Sequence, residues 1–165
     1  MDNSILNNLD DTDEDILELL SEDSRKSLRE IAKTLEKSPV TIKKHIDEME
    51  EKGIIKNYGV SLNYEKLGYD IVALIELTIS KGKMLEVERE IAHMPNVYGV
   101  YDITGTYDAL ILARFRSRSE LSELVKNINS SPYVEHTNTH VILNIIKEGT
   151  NFKELIEHER QKEKK

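Results

Sequence analysis

The 165-residue chain has no cysteine and no tryptophan. Without cysteine it has no disulfide framework, no thiolate zinc site and no thiol nucleophile, which fits a reducing compartment. Long apolar runs are missing too. The longest, around Ile71–Ile79, is broken by Glu76 and is far too short to span a bilayer. The amino terminus reads Met-Asp-Asn-Ser, without the basic, apolar and cleavage regions of a secretory signal. A cytoplasmic protein with no membrane partner is expected. No phosphate-binding loop, HExxH helix or nucleophile elbow occurs, so no enzyme activity and no cofactor are expected. The five histidines supply no metal site in this reading. His136 and His140 lie four apart, but on a strand that places them about 13 Å from each other, too far to share an ion.

Charge of one sign dominates the whole but not the parts. Lys plus Arg number 23 against 31 Asp plus Glu, a net −8 that argues against nucleic acid. Residues 1–23, however, carry nine acids and no base. Residues 24–45 carry seven bases (Arg25, Lys26, Arg29, Lys33, Lys37, Lys43, Lys44) and only Glu30 and Glu36 as acids. A basic island in an acidic chain is a local feature with a local cause.

Three short helices are predicted around that island. The first opens near Thr12, with Asp13, Glu14 and Asp15 at the positive end of its dipole and Ile16, Leu19 and Leu20 on one face. The second begins at Ser27, with Glu30 completing a capping box, and buries Leu28, Ile31, Ala32 and Leu35. The third has Ser38 as cap, Pro39 at its first position, Ile42, Ile46 and Met49 as its stripe, and Gly53 as its stop. So short a gap between the second and third makes them a helix-turn-helix. Its third helix presents Ser38, Val40, Thr41, Lys43 and Lys44 outward, with Lys37 and Arg29 beside them, to reach bases and phosphates of double-stranded DNA. A three-helix module that binds protein with a solvated basic face is the alternative. Glu36 occupies a turn position where glycine is commoner, which implies a strained or altered turn.

Past a predicted strand and linker at 58–69, the pattern becomes β-α-β-β-α-β. Strands are expected at 71–80, 97–104, 107–116 and 137–146. Helices are expected on the stripes Met84, Val87, Ile91, Met94 and Leu121, Leu124, Val125, Ile128. Ser117 and Glu120 are expected to form a second capping box. The fold class is therefore α+β. The expected organisation is a helix-turn-helix domain over 1–57, a linker over 58–69, a ferredoxin-like domain over 70–148, and a charged helical tail over 149–165 that frays in solvent. The strands are apolar on both faces, for example Val72, Leu74 and Leu77, so the sheet face without helices is expected to bury itself in a two-fold homodimer. At Thr104-Gly105-Thr106-Tyr107-Asp108, Gly105 lets backbone amides approach a carboxylate. Asp108 or Asp102 can hold an ammonium, Tyr107 and Tyr101 can form walls, and Thr137 and Thr139 can supply a second wall. A plain hairpin turn, for which Gly and Asp are ordinary choices, is the simpler alternative from the residues alone.

The segments Ser27-Leu28-Arg29-Glu30-Ile31-Ala32, Ser38-Pro39-Val40-Thr41-Ile42-Lys43-Lys44-His45-Ile46, Glu51-Lys52-Gly53-Ile54-Ile55 and Thr104–Asp108, in this order, resemble the Lrp/AsnC (feast/famine) transcription regulators over about residues 10–147. The resemblance implies dimers that bind DNA and often assemble into octamers or other even-numbered rings. It also implies a small amino acid-like effector, bound by the C-terminal domain where dimers meet. His45 stands where that family frequently has arginine, and the resemblance places it among the DNA-contacting residues. Siroheme decarboxylases share the two-domain plan, and an amino acid sensor acting only on protein partners would share the second domain, so the plan alone leaves these readings open.

Overall fold

The computed structural model describes residues 9–149 and 152–163. The first eight residues of the acidic leader and the last two lysines of the tail lie outside the described residues. The chain divides into two compact units, one formed by Met1–Ser61 with Glu148–Lys165 and the other by Leu62–Lys147.

In the first unit, α1 (Asp11–Glu22), α2 (Leu28–Thr34) and α3 (Pro39–Glu51) begin at side-chain caps. Asp10 and Asp13 form the capping box of α1, Ser27 and Glu30 that of α2, and Ser38 accepts the Thr41 N–H at α3. Such caps satisfy amides that the first helical turn leaves unpaired. Ile16, Ile31, Ala32, Ile42, Ile46 and Met49 are buried together, as the helical spacing predicts. The tail differs from expectation. It forms α6 (Phe152–Glu163), which packs on α1 and buries Ile156 to 3% exposure rather than standing free in solvent.

α2 and α3 end in the same way. The Lys37 N–H bonds to the Ala32 carbonyl and the Ile54 N–H to the Met49 carbonyl, each closing a six-residue turn around one left-handed residue. After α3 that residue is Gly53, at φ 69°; after α2 it is Glu36, at φ 53°. A Cβ in this region is strained, so the turn keeps the glycine geometry in spite of the glutamate.

The second unit holds β1 (Ile71–Ile79), α4 (Met84–Ala92), β2 (Val97–Asp102), β3 (Ala109–Phe115), α5 (Arg118–Asn129) and β4 (Val134–Ile142). The strands form one antiparallel sheet in the order β2-β3-β1-β4, the predicted ferredoxin-like plan. Ala73, Ile75, Leu77, Ile79, Ala109, Ile111, Ala113 and Phe115 face Val87, Ile91, Leu124 and Ile128 in the core. Several ends move. β4 starts three residues early and stops at Ile142, because Ile142 pairs with Val72 at the start of β1 and later residues have no strand beside them. The expected strand in 58–69 is not formed: residues 56–63 have no ladder partner among the described residues, and 64–68 form a turn. At α5, Ser117 caps Glu120, but the Glu120 carboxylate accepts from the Arg116 N–H instead of closing a box.

The sheet face away from the helices is only partly apolar. Leu74, Leu110, Leu112 and Tyr101 lie there, but β4 contributes His136, Asn138 and His140. Asn138 and His140 both bond Glu76 Oε2, at 2.9 and 3.1 Å. Replacing Glu36 with glycine is expected to stabilise the first unit by roughly 0.5–1 kcal/mol. Denaturant unfolding checks this, and an unchanged or lower midpoint contradicts the strain.

Candidate DNA interface and effector site

The exposed side of α3 carries the expected residues. Val40 is 79% exposed, and Ser38, Lys43, Lys44 and, beside the helix, Lys37 are exposed as well. Two hydroxyls are already engaged: Ser38 Oγ accepts the Thr41 N–H at 3.0 Å and lies 2.8 Å from Thr41 Oγ1. Ser38 is thus first a cap.

His45 does not join this surface. Its side chain is only 21% exposed, and its Nδ1 is hydrogen-bonded to Asp13 Oδ1 at 2.7 Å. Packing explains the difference, because His45 lies where α3 meets α1, within reach of the Asp13 carboxylate. Asp10, Asp13 and His45 bring three potential ligand atoms within 4.8 Å. Both carboxylates are already committed, however: Asp10 accepts the Asp13 N–H at 2.8 Å, and Asp13 accepts the Asp10 N–H at 3.2 Å. The cluster is a capping box joined to the third helix.

The basic island is partly neutralised. Lys43 pairs with Asp47 at 2.7 Å and Lys44 with Glu48 at 3.6 Å, both one turn further along α3. Lys26 pairs with Glu22, and Arg25 grips Asp23 through two bonds that hold this carboxyl at about 2. Arg29, Lys33 and Lys37 are exposed and make no ion pair among the described residues. Lys33 was not singled out by the sequence reading, although its place in the island could have shown it.

The expected effector residues divide. The loop after β2 is closed by the Ile103 N–H bonding the Asp108 carbonyl, with Gly105 at φ 131°. The Asp108 N–H donates to the Leu77 carbonyl, and its Oδ2 accepts the Ile79 N–H at 2.8 Å. Asp108 therefore ties the loop to the end of β1. Thr137 pairs with Leu77 and Thr139 with Ile75, so both threonines lie on the helix side of the sheet, next to that anchored end. Asp102 pairs with Ala109 on the same side, whereas Tyr101 pairs with Leu110 and its ring covers Gly99 on the open face. Tyr101 is thus not a wall beside Asp102, because neighbouring residues of a strand point to opposite faces.

Glu88 on α4 was missed. Its Oε1 is buried without a hydrogen-bond partner among the described residues, and burial, then the Asp102 charge, push its carboxyl up. Its burial depends on packing that helical periodicity does not reveal.

Exposed pairs of the Lys43–Asp47 kind contribute only about 0.2–1 kcal/mol each, so phosphates can displace the acids. Asp47→Ala with Glu48→Ala is expected to tighten DNA binding about three- to tenfold at low salt, by removing competing charge. Fluorescence anisotropy on a fixed duplex measures this, and equal or weaker binding contradicts it.

Two family models match the chain: a winged helix-turn-helix DNA-binding domain over residues 9–56 and the Lrp/AsnC ligand-binding domain over residues 72–152. An HTH-type transcriptional regulator of Pyrococcus furiosus is 49% identical over 140 residues, covering 85% of this chain and 95% of the relative. Among solved structures, AsnC of E. coli superposes with a TM-score of 0.81 at 27% identity, covering 86% of this chain and 97% of AsnC. A Neisseria meningitidis transcriptional regulator solved with L-Met gives 0.79 at 27% identity, covering 87% and 95%. With a capped helix-turn-helix at one end and the βαββαβ sheet at the other, the chain belongs to the Lrp/AsnC family and is a transcription regulator with a DNA-binding and a ligand-binding domain.

Proposed function

We propose that this regulator binds DNA through the start of α3, with Val40 and Thr41 at base edges in the major groove and Lys43, Lys44, Arg29, Lys33 and Lys37 on phosphates. The observation that carries this is the exposed Val40–Lys44 turn projecting from a core that Ile42 and Ile46 bury. Ser38 contributes by capping, and His45 by holding α3 to α1. A protein-only sensor would not need such a turn flanked by unpaired cations.

The ligand is proposed to be a small amino acid at the 103–108 loop, in line with L-Met in the Neisseria relative. Gly105 and Thr106 offer backbone and hydroxyl groups for its carboxylate, with Tyr107 beside them. Asp102, together with Glu88, whose Oε1 is shielded from solvent, suits the ammonium better than Asp108, which is already bonded to β1. Thr137 and Thr139 lie next to this end of the sheet.

A homodimer through the open face, assembling into larger even-numbered oligomers, follows from two features. Leu74, Leu110 and Leu112 lie on a face without helices. Tyr58, Val60 and Leu62 alternate along a segment without a strand partner among the described residues and are exposed, Val60 to 81%. An edge with such a pattern suits pairing with a second copy. None of the described helices is long and apolar enough to cross a membrane. We infer a cytoplasmic regulator that is not an enzyme.

Lys43→Ala with Lys44→Ala is expected to weaken DNA binding and to reduce the log–log salt slope by about two, one for each lost phosphate contact. Unchanged affinity and slope on the same duplex would remove α3 from the interface. Leu112→Asp is expected to turn dimers into monomers in sedimentation velocity; a persistent dimer rules out the open face.

A further inference from the structure

The ligand-binding family model ends at residue 152, where α6 begins, so nothing in the family match accounts for this helix. Yet α6 is docked within the DNA-binding unit. It packs on α1 with Ile156 buried, and Phe152 closes one wall of an apolar hollow of about 370 Å³ whose other walls include Leu17, Leu20 and Ile54. Lys153 fixes the register: its Nζ is 2.7 Å from Glu18 Oε1 and 3.4 Å from Glu22 Oε1, on successive turns of α1. These pairs raise the lysine and lower Glu22, the directions of a favourable ion pair. Beyond α1, Asp13 bonds His45 of α3, and Ile16 is buried in one cluster with Ile42 and Ile46.

We propose that α6 is a positioning element for DNA binding: docked on α1, it holds α1 in place, and α1 in turn fixes α3 through Asp13–His45 and their shared core. α6 does not itself touch DNA. Lys153 and Ile156 are positioning residues, and the inference rests on α3 being the DNA-reading helix. The chain passes into the ligand-binding unit after residue 61 and returns to the DNA-binding unit at 148. α6 is therefore joined covalently to the end of the unit that carries the effector loop.

The test uses the full chain with Ile156→Asp, Lys153→Glu and the charge swap Lys153→Glu with Glu18→Lys. Hydrogen exchange at α1 amides and DNA affinity across a salt series are measured for each. Ile156→Asp is expected to speed α1 exchange and to weaken DNA binding by about tenfold. The salt slope stays at the wild-type value, because no phosphate contact is lost. Lys153→Glu gives a smaller loss, and the swap recovers most of it. Wild-type exchange in Ile156→Asp overturns the proposal, as does faster exchange with unchanged DNA affinity, since α6 would then not position α3. If the swap stays as weak as Lys153→Glu while the slope falls by about one, Lys153 binds phosphate directly and the proposal is also wrong. Should Ile156→Asp fail to fold, the charge swap alone decides. Failure of the wild-type chain to bind any duplex would sink the α3 reading instead, and the exchange data would still report whether α6 holds α1.

Discussion

Two helices of nine and twelve residues cover only one face of a four-stranded sheet. α4 and α5 bury the alternating residues of β1 and β3 completely, and that leaves Leu74, Leu110 and Leu112 on the other side. The proposed dimer follows from this imbalance, since apolar sheet surface is most simply covered by a second copy. A two-fold dimer would carry two copies of α3 and so suit two-fold symmetric DNA. The face is not uniform, and its polar half has consequences. Glu76, Asn138 and His140 bond one another near β4, so burial there would require these groups to remain satisfied. In the proposed dimer such a cluster would favour one alignment of the two sheets over others.

The DNA-binding unit is held by local devices linked in series. Capping boxes start α1 and α2, a serine cap starts α3, and left-handed turns end α2 and α3. The Asp13 carboxylate belongs to both the local and the tertiary level: it closes the α1 capping box and also bonds His45 of α3. The start of the first helix therefore bears on the placement of the third. Lys43 and Lys44 pair with Asp47 and Glu48, and on the proposed DNA-binding face these exposed pairs would set a modest electrostatic threshold for binding.

What was legible in the sequence was mostly short-range. Ser27 with Glu30, Ser38-Pro39 and the apolar stripes each lie within a few residues, and the structure forms them where expected. The βαββαβ order was legible because the central strands are apolar enough to stand out. Strand ends were not, since they depend on what lies alongside: β4 stops where β1 begins, and residues 56–63 have no strand partner among the described residues. Asp13 and His45 are 32 residues apart, and only the packing of α1 on α3 brings them together. The docking of α6 was hidden for the same reason, because Phe152 and Ile156 look like the remains of a stripe in a charged tail. The separation of Tyr101 from Asp102 was available from strand alternation alone. For Glu88, nothing on its own helix shows that one of its carboxylate oxygens is shielded from solvent.

A net charge of −8 remains compatible with all of this, because the cations proposed to reach DNA are confined to one short stretch of the chain, from Arg29 to Lys44. The most direct measurement is selection of bound sequences from a random duplex pool at moderate salt, using the full chain. The account predicts enrichment of a two-fold symmetric motif whose half-sites are about one helical turn apart. A bound pool indistinguishable from the input would contradict sequence reading by α3.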